Sequence, residues 1–261
     1  MKKLSKILIV CITLGSCHAE LVAHYPLDTD ALDASGNGYD GSVVGGTVNF
    51  GQPGANGNTG SSAAFPDDGH IDVPFDSALN PASYTVTLWA NASSTSGFAS
   101  PITSRDDNPS SVHGFIVYND NNGNWNNWTG SGGGPGSWDQ LPGGPVSTDT
   151  WTHLALSYDA ATNTKSFYVD GSLAGSKNTG LLYSPNGTVQ SEDLHIGAGA
   201  DSGGAFFFSG NIDDVSIWNT ALDEATILNI KDNGVTSAIP EPTSLGLLAL
   251  GCLALVRRRR S

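Results

Sequence analysis

The sequence predicts an all-β fold, a sandwich of two antiparallel sheets joined by long loops. Glycine accounts for 33 of the 261 residues, and serine, threonine and asparagine crowd the segments between short apolar runs. Helical periodicity is nearly absent, and this combination is typical of β-sandwiches. A chain of this length can bury a core of its own. No internal repeat divides it, so we expect one domain.

The N-terminal segment, residues 1–19, is predicted to be a secretory signal peptide. Three lysines precede the apolar run from Ile7 to Leu14, and small residues follow it up to Ala19. A basic, then an apolar, then a small-residue region directs export, with cleavage by signal peptidase after Ala19. The alternative is a lipoprotein signal in which Cys17 carries the lipid.

The C-terminal segment, residues 237–261, contains a proline motif, an apolar run and a basic tail. Pro240-Glu241-Pro242 precedes the apolar run from Thr243 to Val256, and four arginines follow. This pattern resembles a PEP-CTERM sorting signal. The run is short for a membrane-spanning helix, which needs about 20 residues, and the arginines would hold that end on the cytoplasmic side. The resemblance implies that an exosortase of a Gram-negative-type bacterium removes the segment and that the protein reaches the cell surface or extracellular matrix. A permanent membrane anchor is the alternative.

Cysteine content and charge exclude several functions for the domain between these segments, residues 20–236. Cys11, Cys17 and Cys252 all lie in the terminal segments, so the domain has neither a disulfide nor a catalytic thiol. Residues 20–239 contain four cationic side chains and 24 acidic ones, a net charge of −20. Such a surface repels phosphate backbones. It also repels acidic polysaccharides, unless Ca²⁺ bridges the two negatively charged partners. We therefore expect no nucleic-acid partner.

Strands are predicted in succession through the domain. His24–Asp28 is predicted to be an edge strand because Pro26 cannot donate a ladder hydrogen bond. Tyr84–Ala90 is the clearest strand, with Tyr84, Val86 and Leu88 sharing one face. Further strands are predicted over residues 47–50, 63–65, 69–73, 100–107, 114–118, 151–158, 165–174 (a hairpin turning at Asp170-Gly171 with type I′ geometry), 194–197 and 212–218. A short helix is predicted from Thr220, its cap together with Asp223, to Asn233, ending at Gly234.

The last predicted strand, Ile212–Trp218, contains a carboxylate among apolar residues. Strict alternation places Asp213 on the same face as Val215 and Ile217. If that face is the core face, the carboxylate is buried, which is costly unless it is paired, hydrogen-bonded or bound to a metal. Because the domain has few cations, we expect a bound Ca²⁺ rather than a hydrogen-bonded structural aspartate.

An oxygen-rich loop, Asp33–Gly41, is a second candidate for cation binding. Its glycines allow positive backbone angles, so that several oxygens can converge. Asp33 and Asn37 are its main candidate ligands, whereas Asp28 and Asp40 are weaker ones. The alternative is an ordinary Asx-turn without a metal.

These stretches together resemble laminin G-like domains, relatives of the concanavalin A-like jelly rolls. The resemblance rests on G-x-I-D-D-V-x-I-W-N-x-A-L around Asp213, the D-x-S-G-N-G loop at Asp33, the strand from Tyr84 and the Y-V-D-G hairpin ending at Gly171. It implies an antiparallel two-sheet jelly-roll β-sandwich. It also implies that the loop faces the closing strand, so that Asp33, Asn37 and Asp213 together hold a structural Ca²⁺, an ion that takes six to eight oxygen ligands. The fold alone assigns no function, since it hosts lectins, adhesion modules and enzymes.

A segment rich in asparagine and glycine, residues 119–150, contains the candidate ligand-binding residues. Trp125, Trp128 and Trp138 lie within it, and Arg105 precedes it. Flat aromatic rings bind the C–H faces of sugars, and exposed large aromatics are uncommon without such a use. The alternative is that some of these tryptophans only pack the loop onto the sandwich.

Catalytic motifs are missing from the sequence. Glucanases of this fold use two glutamates on one strand, spaced to flank the scissile bond, but this chain has only four glutamates and no pair at that spacing. No serine-hydrolase elbow and no H-E-x-x-H motif is present. His70 has no histidine or cysteine at ligand spacing, so zinc is not expected.

Three functions remain, and the sequence favours the first. It is a secreted, Ca²⁺-stabilised, non-catalytic module that binds carbohydrate at the cell surface or in the extracellular matrix. The second is a structural or adhesion protein of the matrix whose partners are proteins. The third, a glycoside hydrolase, is the least favoured.

Overall fold

The computed structural model describes residues 19–178, 180–201 and 204–239. The predicted signal peptide up to residue 18, the sorting sequence from Pro240 onwards and all three cysteines lie outside the described residues. The strands are β1 (Leu21–Tyr25), β2 (Ser42–Val44), β3 (Asn49–Pro53), β4 (Ser61–Phe65), β5 (His70–Val73), β6 (Tyr84–Ala92), β7 (Ala99–Thr103), β8 (Asp106–Asn108), β9 (Ser111–His113), β10 (Phe115–Asn119), β11 (Asn124–Thr129), β12 (Asp139–Pro145), β13 (Thr152–Asp159), β14 (Thr164–Val169), β15 (Ser172–Asn178), β16 (Leu194–Ile196) and β17 (Gly210–Trp218). The helix α1 spans Glu224–Asn233, and two short 3₁₀ turns span Ser77–Leu79 and Val235–Ala238.

Two antiparallel sheets form the sandwich. One has eight strands in the order β15-β14-β13-β6-β17-β4-β3, with β1 also paired to β17. The other has seven strands in the order β12-β11-β10-β7-β16-β5-β2. Most neighbours are distant in sequence, as β6 between β13 and β17 illustrates. The predicted two-sheet jelly-roll sandwich is confirmed.

The main core lies between the sheets and follows strand alternation. Tyr84, Val86 and Leu88 of β6 face Phe115 and Val117 of β10 across it, and all five are fully buried. Burying each such side chain contributes about 1.5–3 kcal/mol. The face predicted for β6 is therefore the core face. Its other face carries a second apolar cluster, which includes Trp218 and the α1 residues Ile227 and Ile230.

The hairpin turn and the C-terminal end of the helix lie where the sequence predicts them, whereas the N-cap of the helix is a different residue. Asp170 and Gly171 have φ angles of 51° and 78°, the two positive values that a type I′ turn requires. Helix α1 ends at Gly234, as predicted. Its cap, however, is Asp223, whose carboxylate accepts a hydrogen bond from the Thr226 N–H at 2.7 Å. Thr220 lies before the helix, where its carbonyl accepts a hydrogen bond from Thr85.

Asp213 faces the side of the sheet opposite to the predicted one, because β17 contains a β-bulge. Asp214 has a φ of 49°, and the pairing with β6 shifts between Asp213 and Ser216. The extra residue changes the alternation, so that Ile212, Val215 and Ile217 all enter the main core. Asp213 lies opposite Trp89 on the other face of the sheet. It is nevertheless completely buried.

Candidate functional site

A cavity of about 210 Å³ opens on the outer face of the seven-stranded sheet. On β10, Phe115 and Val117 face the core, so Ile116 and Tyr118 face outward, and Trp128 of β11 pairs with Ile116. Loops close the cavity on its other sides. The lining residues are Phe98, Arg105, Asp107, Ile116, Tyr118, Trp128, Gly136, Trp138 and Phe206. Three of the four predicted ligand-binding residues, Arg105, Trp128 and Trp138, are thus brought together.

Arg105 is the polar centre of this cavity. Its guanidinium pairs with the carboxylates of Asp107 and Asp201, the latter at 3.0 Å, and its Nη1 donates to the Tyr118 hydroxyl at 3.2 Å. Burial opposes the charge, but Tyr118 and the two carboxylates outweigh it and raise the pKa of Arg105. The guanidinium carbon also lies 5.8 Å from the Trp138 ring centroid and 5.7 Å from that of Phe206. The cation is therefore fixed in position and neutralised locally.

The aromatic residues of the cavity support one another. Trp128 meets Tyr118 edge to face at a centroid distance of 5.2 Å, meets Phe98 at 5.6 Å and lies 6.5 Å from Trp138. Phe206 is 36% exposed and has a φ of 58°, which bulky residues rarely adopt. The indole N–H of Trp128 has no hydrogen-bond partner within the described part of the chain. The cavity wall is therefore built mainly of apolar ring surface, and the unpaired indole N–H of Trp128 is itself buried.

Trp125 is not part of this cavity, which corrects the prediction. It is 1% exposed and packs in the main core. Trp125 and Trp128 are three residues apart on one extended strand, and such residues point to opposite faces. Parity shows that the two rings separate, and the structure shows that Trp125 is the one that faces the core.

Phe206 was a further residue that the sequence analysis missed. It begins the run Phe206-Phe207-Phe208, of which only Phe208 is fully buried in the core. Three successive aromatics in one extended segment cannot all face the same side. That run was the available signal for an aromatic site outside the core.

Asp33 and Asn37 have structural roles in the loop that was predicted to bind calcium. The Asp33 carboxylate accepts hydrogen bonds from the backbone N–H groups of His24 (3.0 Å), Ser35 (2.8 Å), Gly38 (3.1 Å) and Tyr39 (3.1 Å). Burial raises the pKa of Asp33, but these bonds outweigh burial and hold it below its ordinary value. The Asn37 amide donates to the carbonyls of Leu21 and Val22. The loop thus fastens the edge of β1, as the Asx-turn alternative describes.

Asp213 belongs to a different neighbourhood, formed with Asp28 and the loop 54–61. Its Oδ2 accepts hydrogen bonds from Ala55 N at 2.8 Å and Thr59 Oγ1 at 2.7 Å, and its Oδ1 is buried with no partner among the described residues. Burial above all raises the pKa of Asp213 to about 7, and the negative charges of Asp214 and Asp28 add to the rise. A buried carboxylate oxygen without a donor, next to a second carboxylate, suits a hard cation. Binding of Ca²⁺ itself stays a prediction.

Two glycines allow Asp213 and Asp28 to meet this loop. A Cβ on Gly60, whose φ is 76°, would lie 2.3 Å from Asp28 Oδ1. A Cβ on Gly54 would lie 2.2 Å from the Gly60 carbonyl oxygen and 3.1 Å from Asp213 Oδ2. Only glycine fits at such approaches, so backbone carbonyl and carboxylate oxygens share a small volume there.

The family of the chain is evident from sequence comparison. The profile of the concanavalin A-like lectin/glucanases superfamily (the laminin G type) matches residues 65–228, and the chain belongs to this superfamily. The PEP-CTERM protein-sorting motif matches residues 238–260, which indicates export and sorting to the cell envelope or surface. No helix within the described residues is long and apolar enough to cross a bilayer. Comparison with curated protein sequences gave no match.

Solved structures share the fold at low sequence identity. Domain 4 of AbnA, a GH43 extracellular arabinanase from Geobacillus stearothermophilus in complex with arabinotriose, matches with a TM-score of 0.65 and 24% identity, covering 82% of this chain and 99% of that one. The Ruminococcus gnavus IT-sialidase CBM40 bound to α2,3 sialyllactose matches with a TM-score of 0.53 and 12% identity over 65% and 95% of the two chains. The receptor-binding domain of botulinum neurotoxin D matches with a TM-score of 0.56 and 15% identity. The match covers 82% of this chain but only 52% of the neurotoxin chain.

Proposed function

We propose that this protein is an exported, non-catalytic carbohydrate-binding module and that the cavity around Arg105 is its binding site. One observation carries the proposal. Arg105, Trp128 and Trp138 come from three separate stretches of the chain and converge with Phe206 on a single open cavity. Aromatic faces beside a few fixed polar groups are the usual composition of a small-ligand site. Sugars offer C–H faces to the rings and hydroxyl groups to the polar atoms.

The charge of the site favours a neutral saccharide. Arg105 is already paired with two carboxylates and also donates to the Tyr118 hydroxyl and the Gly199 carbonyl, so it offers a ligand little net positive charge and one remaining N–H on Nη2. The domain around it is strongly acidic, and an anionic sugar would be repelled. A hydroxyl group of a neutral sugar can accept from that N–H of Arg105 and can donate to Asp107.

The solved structures are compatible with this function. Two of the similar domains are described as complexes with arabinotriose and with sialyllactose. The first is a domain of an extracellular arabinanase and the second is the CBM40 of a sialidase, and the sequence identities of 24% and 12% are too low to transfer a particular ligand. They support a saccharide ligand as a class.

The arrangement of the acids in the cavity supports a non-catalytic role. Glycoside hydrolysis requires one carboxyl as acid and a second as base or nucleophile, placed on either side of the scissile bond. Asp107 and Asp201 are the carboxylates beside Arg105, and both contact its guanidinium. Both acids therefore orient the cation rather than flank a substrate.

A structural Ca²⁺ completes the proposed function, with Asp213 and Asp28 as its carboxylate ligands. The unpartnered Asp213 oxygen and the converging loop oxygens support this assignment. The ion would tie β17 to the loop 54–61 and so stabilise the domain. Signal peptidase and an exosortase would act on the two termini during export.

Binding to a panel of neutral and acidic oligosaccharides tests the proposal. We expect the full-length protein to bind at least one neutral oligosaccharide, and Trp138→Ala to weaken that binding by about two- to tenfold, since one stacking ring contributes about 0.5–1.5 kcal/mol. Trp151→Ala is the matched control, because Trp151 lies outside the cavity. Equal losses in both variants, or tighter binding of acidic sugars, would contradict the proposed site. A folded protein that binds no sugar would favour the matrix adhesion protein.

A further inference from the structure

Two histidines and an aspartate meet on the outer face of the seven-stranded sheet, at strands β5 and β16. His70 and Asp72 lie two residues apart on β5, and antiparallel pairing sets His195 of β16 opposite Asp72. The residues between them, such as Ile71 and Ile196, enter the core. Sequence spacing from His70 could not reveal this neighbour, because His195 comes from a strand far along the chain.

The distances join the three side chains into one group. The His195 Nδ1 lies 2.6 Å from Asp72 Oδ1, and the His70 Nε2 lies 3.3 Å from the same oxygen. Ring nitrogens of both histidines and an Asp72 oxygen all lie within 4.8 Å of one another. No other cluster of three or more His, Cys, Asp or Glu ligand atoms occurs in the described part of the chain.

Two hydrogen-bond acceptors, His70 Nε2 and an Asp72 carboxylate oxygen, are in contact in this group. The His70 Nδ1 lies 3.0 Å from the Asp68 carbonyl oxygen, which can only accept, so Nδ1 carries the proton. The Nε2 of a neutral His70 then directs a lone pair at the Asp72 carboxylate. Two acceptors in contact are unfavourable unless a second proton or a cation lies between them.

His195 adds an independent observation. Its side chain is 1% exposed, and its Nε2 has no hydrogen-bond partner among the described residues. The nitrogen that faces the group is Nδ1, which lies 2.6 Å from Asp72 Oδ1. Burial on every other side fixes the ring with Nδ1 directed at the position that a shared cation would take.

We propose that His70, Asp72 and His195 bind a divalent transition-metal cation, with Zn²⁺ as the best match. Two imidazoles and one carboxylate are ligands that Zn²⁺ takes at about 2.0–2.2 Å, and a water fills the fourth position. The Asp68 carbonyl on His70 Nδ1 is the outer contact that orients a metal-binding imidazole. Asp72 is 24% exposed, so the ion has a route from solvent. Ca²⁺ is disfavoured here, because it prefers oxygen ligands.

Metal binding replaces the second proton that otherwise lies between His70 Nε2 and the Asp72 carboxylate. The cation takes the place of that proton, which is released into the buffer. A neutral His195 releases none, because its proton moves from Nδ1 to Nε2 when Nδ1 becomes a ligand. This release distinguishes ligation by the cluster from loose attraction of Zn²⁺ to the acidic surface.

The experiment is calorimetric titration of the purified full-length chain with Zn²⁺ in two buffers of different ionisation enthalpy, followed by Co²⁺ absorption. We expect one more Zn²⁺ per wild-type chain than per Asp72→Asn or His195→Gln chain. The affinity lost should exceed the roughly 10–100-fold that removal of an outer-shell contact causes. The wild type alone should show the strong visible bands of tetrahedral Co²⁺. Any Zn²⁺ that the cysteines of the terminal segments bind is the same in every variant, so it does not affect the difference in Zn²⁺ stoichiometry.

Asp72→Asn preserves the shape of a partly exposed side chain, so it keeps the test valid if His195→Gln does not fold. His113→Gln is the matched control, since His113 is also buried but is bound by Ser111 and Ser184. It should retain the wild-type Zn²⁺ stoichiometry. Equal Zn²⁺ stoichiometry in wild type and Asp72→Asn, or only octahedral Co²⁺ bands, would overturn the proposal and assign the second proton to His70 instead.

Discussion

The guanidinium carbon of Arg105 lies 5.8 Å from the ring centroid of Trp138. Arg105 follows β7 and Trp138 precedes β12, so the contact joins two loops that both line the cavity. Asp107 and Asp201 hold the cation in that position. A ligand entering the cavity therefore meets a preorganised polar group beside the rings and does not have to order it first, which reduces the entropic cost of binding.

Trp128 and Trp125 are expected to have separable effects although they lie on the same strand. Trp128→Ala removes a wall of the cavity and should weaken saccharide binding by about tenfold, with a smaller effect on stability. Trp125→Ala removes a fully buried core ring and should lower the free energy of unfolding by about 3–5 kcal/mol. Urea unfolding and binding titrations on both variants check this. Similar binding losses at equal folded fraction would show that Trp125 contributes to the site.

Asp213 and Asp33 are expected to respond differently to Ca²⁺. At a free concentration of about 100 times Kd, Ca²⁺ should stabilise the wild type by about 2.7 kcal/mol, or roughly 5–10 °C in Tm. Asp213→Asn should abolish this rise. Asp33→Asn should lower Tm in all conditions, because Gly38 and Tyr39 then face an amide donor, but should keep the Ca²⁺ increment. Thermal unfolding with Ca²⁺ and with EDTA measures both. If Asp33→Asn also loses the Ca²⁺-dependent rise in Tm, Asp33 belongs to the Ca²⁺ site together with Asp213, as the sequence analysis predicted.

Lys165 is expected to make stability rise with pH above neutrality. It is 1% exposed, donates to Thr129 and pairs with Asp139. Burial lowers its pKa to about 7, despite Asp139, from the ordinary 10.5. Between these values the unfolded chain binds a proton that the folded chain does not. Stability therefore increases with pH across that window, by at most about 1.4 kcal/mol per pH unit.

Lys165→Met isolates this contribution. The wild type should gain stability relative to the variant as pH rises from 7 to 9.5, in urea unfolding at each pH. Lys177, the other lysine on Asp139, is half-exposed and serves as the control position; Lys177→Met should not remove the rise. Parallel wild-type and Lys165→Met curves would show that Lys165 stays charged in the folded protein.

His153 is expected to make the protein sensitive to acid. The ring is buried beside Trp89, at a centroid distance of 5.1 Å. Burial lowers the pKa of His153 to about 3 from the ordinary 6.5. Below 6.5 the unfolded chain gains a proton that the folded chain cannot take, so stability falls as the pH drops from 6.5 towards 3. His153→Phe should flatten this part of the curve relative to wild type in unfolding experiments. An unchanged slope would assign the acid sensitivity to other groups.

Much of the fold was predictable because it depends on local pattern. Alternation in the strand from Tyr84 identified the core face, and Asp170-Gly171 identified the hairpin turn. The order of the motifs was enough to predict the jelly roll, because each strand must bury an apolar face and the family pairs them in one way. Arg105, Trp128 and Trp138 were chosen by residue type, and Trp125 was grouped with them because no strand was predicted where β11 lies.

Three features were decided only by the tertiary structure. The bulge at Asp214 inverts the face of Asp213, and no local pattern in the strand marks where an extra residue is inserted. The grouping of Asp213 with Asp28 and of His70 with His195 depends on which strands become neighbours. Sequence by itself determined the fold class, the faces of regular strands and the chemistry available. The tertiary structure determined which of those groups meet, because pairing between distant strands follows from packing of the whole sandwich and not from any one segment.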